Sequence, residues 1–271
     1  MAFTLIKGNF KPLAGLPDGD SVRFKADNLS LFDNLEGRRV EIGTGVETLN
    51  TVQLRFEGID AIEKLATKPL SIQAKENMFR HIGFNEDTNP EPRGYILTRM
   101  TDPHGRPITY AFAGTTPKAD GSSVFLDTLL LGKSVNYHQV KDGFAYPLYY
   151  NTLFASLRKK FDIALAFAKK HRSGYWPSDK TSAGVNIQNA ESIKTIPPIW
   201  PKLWRRLQEY TRDHASMNGF IQFLENKNER VLILPIIEER GLQDIVKVTG
   251  KKVSLTVKPE NLIVVTEIVR E

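Results

Sequence analysis

The sequence predicts an α+β protein, and three features of its patterning lead there. Short strand-like runs separated by turn residues fill the first stretch, from Phe3 to about Gly114. A long amphipathic helical pattern occupies Asn151 to about Arg172. Beyond a polar stretch, a pair of helical patterns precedes a further set of strand-like runs.

Taken in order, the first strands are FTLIKGNF (3–10), SVRFKA (21–26), RVEIGT (39–44), TVQLRFEGI (51–59), GYILTRM (94–100) and ITYAFAG (108–114). Each is rich in β-branched or aromatic residues and bounded by turn formers. PLSIQAKENMFRHI (69–82) interrupts them as a helix, and Thr128 to His138 reads as another helix that turns into a short extended piece. In the 151–172 helix, Leu153, Leu157, Phe161, Ala164, Leu165 and Ala168 recur at helical spacing. Gly174 fits a C-terminal cap position and Pro177 prevents resumption. The Lys and Arg residues at 158–160 and 169–172 read as a solvated face, and the later ones suit the helix dipole.

Residues 178–200, rich in Ser, Asn and Pro, read as a linker between a first domain at 1–177 and a C-terminal α+β extension at 201–271. In the extension, helices are expected at 200–210 and 215–226, and strands at 230–234, 245–248, 252–257 and 262–266. Trp200 and Trp204 stand at helical spacing and read as core packing.

Composition narrows the chemistry. With 271 residues, 41% hydrophobic and 25% charged, the chain can bury a core without covalent staples. It has no cysteine, which excludes disulfides, zinc–thiolate sites and thiol nucleophiles. The net charge of +6 favours polyanionic partners, although many soluble proteins are mildly basic. No apolar run reaches the length of a membrane span, and the N-terminal stretch does not read as a signal peptide. A cytoplasmic location is the default expectation, with secretion by another route still open.

Three motifs carry chemistry in combination: Asp18-Gly19-Asp20-Ser21 before a strand, Arg55 to Glu63 (RFEGIDAIE) at a strand end, and Asp102-Pro103-His104-Gly105-Arg106 between two strands. Singly, each is an ordinary turn. Together they supply what phosphodiester hydrolysis needs. Asp20 and Asp60 offer carboxylate oxygens to a hard cation. Glu63 is close enough in sequence to orient or deprotonate an attacking water. Arg55 and Arg106 offer permanently charged, bidentate contacts to a phosphate. His104 is a candidate phosphate contact, although a surface turn histidine is the plainer reading.

In that order, DGDS, LRFEGIDAIE and DPHGR resemble the staphylococcal-nuclease family. The likeness continues through GFAYPLYYNTLFASLRKKFDIALAFAKKHRSGYW at 143–176, and covers roughly residues 3–177 with insertions at 27–50 and 114–124. The resemblance implies a five-stranded OB-fold barrel carrying helices, a surface suited to single-stranded DNA or RNA. It implies calcium held by Asp20, Asp60 and the backbone carbonyl of Ala61, with Glu63 as candidate base and Arg55 and Arg106 on the scissile phosphate. The implied reaction is attack of water on phosphorus, leaving 3′-phosphate and 5′-hydroxyl ends. Tyr149 matches a substrate-stacking tyrosine, and the position of its usual aromatic partner is Asn151. Ile62 stands where the family carries proline. The alternative is a nuclease-like module that binds nucleic acid or protein without cutting.

Overall fold

A computed structural model describes residues 2–266 of the chain. Its first half runs β1 (Ala2–Lys11), β2 (Arg23–Ala26), the short strands β3 (Val52–Gln53), β4 (Arg55–Phe56) and β5 (Ile59–Asp60), then helix α1 (Lys68–Ile82). Next come β6 (Arg93–Thr101), β7 (Pro107–Ala113), β8 (Ser123–Phe125), helices α2 (Thr128–Leu131) and α3 (Val135–Lys141), strands β9 (Tyr146–Pro147) and β10 (Tyr149–Tyr150), and helix α4 (Ala155–Lys170). The remainder comprises β11 (Val185–Asn186), α5 (Pro201–Thr211), α6 (Phe220–Asn226), β12 (Arg230–Ile233), β13 (Glu238–Gly241), β14 (Val246–Thr249), β15 (Lys252–Leu255) and β16 (Leu262–Val265).

The class is α+β, and its main sheet is barrel-like and nearly closed, in the order β3-β2-β1-β6-β7-β4 with β8 also on β1. β1 is the hub because it pairs with β2, β6 and β8, and its Phe3, Leu5, Ile6 and Phe10 are buried. They meet Phe24 on β2 and Leu97 on β6 through antiparallel registers. Burying each such side chain contributes about 1.5–3 kcal/mol. Leu157, Phe161, Ala164 and Leu165 on one stripe of α4 close the same core, as their spacing predicts.

A second core joins Trp200, Leu203, Trp204, Leu207 and Phe220 to strands of the C-terminal half. It also takes Ile62, Ala66, Tyr146, Leu148 and Tyr175 from the first half. The two halves share backbone as well, since β10 pairs in parallel with β16 through Tyr149↔Ile263.

Several expectations are corrected. The 178–200 stretch is not a spacer: Val185, Ile187, Ile193, Ile196 and Ile199 are buried in the second core, and β11 pairs with β15. The 39–44 run forms no strand beyond a single bridge from Ile42 to Val52. The 51–59 run breaks into three short strands, and 128–138 belongs to two short helices rather than a helix with an extended tail. Strand β13 was not expected. Residue 1 and residues 267–271, which fall in the expected first domain and extension, lie outside the described residues. Among the described residues, no helix is long and apolar enough to cross a membrane.

Candidate active site

The three motifs meet because their turns are bonded to one another. Asp18 accepts hydrogen bonds from the Ser21 hydroxyl at 2.7 Å and the Asp20 amide at 3.4 Å, closing the turn before β2. Gly19 lets that turn lie flat against its neighbours, since a Cβ there would fall 2.7 Å from the Ala61 Cβ and 2.9 Å from the Ala74 Cβ. Gln139 of α3 holds the Gly19 carbonyl at 2.5 Å. The Asp20 carboxylate then accepts the Ala61 amide at 3.1 Å, tying the first motif to the second.

In the second motif, Arg55 lies beside Ile108 of β7 and Asp60 beside Tyr146 of β9. Gly58, at φ +79°, makes the intervening turn, where the Phe161 ring leaves no room for a Cβ. In the third, buried Asp102 accepts the amides of His104 at 2.9 Å and Arg106 at 3.0 Å. Its other oxygen takes Arg106 Nε at 2.7 Å and Nη2 at 2.6 Å, which aims the guanidinium.

Asp20, Asp60, Glu63, Arg55, His104 and Arg106 all line one cleft of about 790 Å³. Asp18, Arg38, Tyr150, Lys202, Arg205, Arg206 and Glu229 line it too. Burial pushes the Asp20 carboxyl well above its ordinary range, and the nearby carboxylates of Asp18 and Asp60 add to the shift against the pull of Arg55. The Glu63 carboxyl is also raised, by burial first, although Arg205 opposes the change. Burial works against the charge of Arg55, but Tyr150, Asp20 and Asp60 outweigh it and hold the guanidinium protonated.

One site expectation shifts. Tyr149 is fully buried and donates its hydroxyl to Asp162 at 2.8 Å, so its ring is not offered to a substrate. Tyr150 faces the cleft instead. Asn151 lies outside the cleft lining and exchanges hydrogen bonds with Thr266, its side chain donating at 3.1 Å and accepting from the amide at 3.2 Å. Ile62 is buried in the second core and packs with residues of the C-terminal half.

The residue that sequence reasoning missed is Arg205. From α5 it spans Asp60, with Nη1 at 2.9 Å from Oδ1 and Nη2 at 2.8 Å from Oδ2, and reaches Glu63 Oε1 at 2.7 Å. Its neighbours Lys202 and Arg206 both bind Glu229, Arg206 through Nε at 2.6 Å and Nη2 at 2.9 Å. The only signal in the sequence was the basic pair on the polar side of WPKLWRRLQEY, which does not say what it faces.

Asp20, Asp60 and the Ala61 carbonyl are hard oxygen donors of the kind calcium takes. Burial first, and the nearby carboxylates after it, disfavour charge on Asp20, and a cation seated there would offset both. The Arg205 guanidinium is a cation already seated on Asp60. As the side chains stand, no group of three or more acidic, histidine or cysteine residues among the described residues is arranged to hold a metal. Asp20 and Asp60 are fitting donor types on the cleft wall, while Ala61 is buried outside the lining and an internal cation occupies Asp60.

No protein-family model matches the chain, and no curated protein matches it either.

Proposed function

We propose that this chain is a calcium-dependent phosphodiesterase of the staphylococcal-nuclease type, acting on DNA or RNA with single strands favoured. In this reading the barrel-like sheet is the family's OB barrel. One observation carries the proposal: Asp20, Asp60, Glu63, Arg55 and Arg106, brought from three separated turns, open onto a single cleft large enough for a nucleotide.

Asp20, Asp60 and the Ala61 carbonyl would hold the calcium ion, which when bound neutralises charge on the phosphoryl oxygens. Arg106, aimed by Asp102, and Arg55, kept charged by its acidic neighbours, grip the phosphate and stabilise the charge that grows in the transition state. Glu63, its carboxyl raised above its ordinary value by burial, takes the proton of the attacking water. Displacement at phosphorus would leave a 3′-phosphate and a 5′-hydroxyl. Tyr150, on the cleft wall, offers a base a stacking surface worth about 1–3 kcal/mol.

The test is hydrolysis of single-stranded DNA by the full chain with calcium and with chelator. Calcium-dependent cleavage is expected, and Arg106→Ala should lower turnover by about two orders of magnitude or more while sparing the fold. Cleavage that is indifferent to chelator rejects the site. A second reading, a nucleic-acid-binding module without catalysis, draws on the Arg205 contacts, which occupy Asp60 and Glu63. Under it the chain binds single-stranded DNA and leaves it intact at every calcium concentration.

A further inference from the structure

Arg205 is held in place by the same ladder that carries its acidic partners. Trp200, at the start of α5, donates its indole N–H to the Pro147 carbonyl at 3.1 Å. Pro147 is the β9 residue paired with Ile59, the neighbour of Asp60. Trp204 donates to the Ile193 carbonyl at 3.0 Å. Both tryptophans are buried, so α5 is bolted down and its next residue projects toward β5. Asp60 is 1% exposed while the Arg205 side chain is 31% exposed, so the pair is closed on the protein side and open on the cleft side.

The contact is extensive, although each carboxylate oxygen keeps a second lone pair and the main obstacle to a metal ion is the guanidinium charge. Both oxygens of Asp60 and one of Glu63 are spanned by a single guanidinium. A carboxylate engaged this way cannot give the same lone pairs to a metal ion. Lys202 and Arg206, on the same helix, are engaged by Glu229 and leave the acidic pair to Arg205.

We propose that Arg205, anchored by Glu63, is an internal counter-cation that competes with the divalent ion for Asp60, so that the C-terminal half sets the metal affinity of the site. The proposal rests on the reading of Asp20 and Asp60 as metal ligands. Metal entry requires the guanidinium to swing off Asp60 into the open cleft, where a phosphate is the natural new partner for it. Metal and polyanion therefore bind cooperatively, each easing the displacement that the other needs.

The test is calcium binding to the full-length protein by isothermal titration calorimetry, without substrate. Arg205→Gln should bind calcium at least about tenfold more tightly than the parent, because the acidic pair is left without its cation. Arg206→Ala removes the same charge from the same helix and should stay within about threefold of the parent. Without calcium, Arg205→Gln should melt lower than the parent, and calcium should restore most of the difference. Should the glutamine variant fail to fold, Arg205→Lys keeps the charge but cannot span both carboxylates, and it is also expected to bind calcium more tightly than the parent. Equal affinity in the parent and the Arg205 variants, with binding abolished by Asp20→Asn, overturns the competition while leaving the metal site standing. No calcium binding by the parent or by any Arg205 variant overturns the metal site and the competition together.

Discussion

At the scale of single residues, Asp102 and Glu57 show how burial sets function and cost. Asp102 accepts two amides through one oxygen and the Arg106 guanidinium through the other. Asp102→Asn can keep the amide contacts but turns an N–H₂ toward the guanidinium. Turnover should fall about tenfold or more with little change in melting temperature, because the aim of Arg106 is lost before the turn is. A variant that melts lower yet turns over normally would give Asp102 a purely structural role. Glu57 is buried behind the site, and burial lifts its carboxyl from an ordinary value near 4.5 to about 7 despite Arg99 and Arg55. Below pH 4.5 both folded and unfolded chains keep the proton. Between about 4.5 and 7 only the folded chain keeps it, so stability falls as pH rises through that window, by roughly 3–4 kcal/mol at most. Urea midpoints measured across this range should flatten in Glu57→Gln, and an unchanged slope would place the proton elsewhere.

At the scale of elements, registers and turns decide which residues the site receives. Tyr149 and Tyr150 are adjacent on a two-residue strand, so they point to opposite faces and one position decides which ring reaches the cleft. A motif match fixes the neighbourhood and not that parity, which is why Tyr149 was expected where Tyr150 stands. The 39–44 run alternates like a strand, yet only Ile42 finds a bridging partner. Strand propensity is realised only where a neighbour accepts the ladder. The 178–200 stretch was misread for the opposite reason. Its composition is polar, but a few isoleucines spaced along it are enough to anchor it in the second core.

At the scale of the whole molecule, the C-terminal half shares a core and a strand pairing with the half that carries the motifs. Ile62, Tyr146, Leu148 and Tyr175 are buried in a core most of whose members lie beyond residue 184. A chain ending at residue 177 would expose them, at about 1.5–3 kcal/mol each, against a net stability of ordinarily about 5–15 kcal/mol. Such a fragment should show no cooperative thermal transition by circular dichroism. A sharp transition near that of the full chain would make the first domain independent after all.

Sequence alone determined the α+β class, a helix expected from 151 to about 172 and found at Ala155–Lys170, and the acidic and basic turns that share the cleft, because local spacing and turn chemistry are written in neighbouring residues. Tertiary structure alone decided that Arg205 meets Asp60, 145 residues away, and that Tyr150 rather than Tyr149 faces the opening. Such contacts depend on how a helix is seated and on which side of a strand faces inward. Those are properties of the packed whole, which no local pattern encodes.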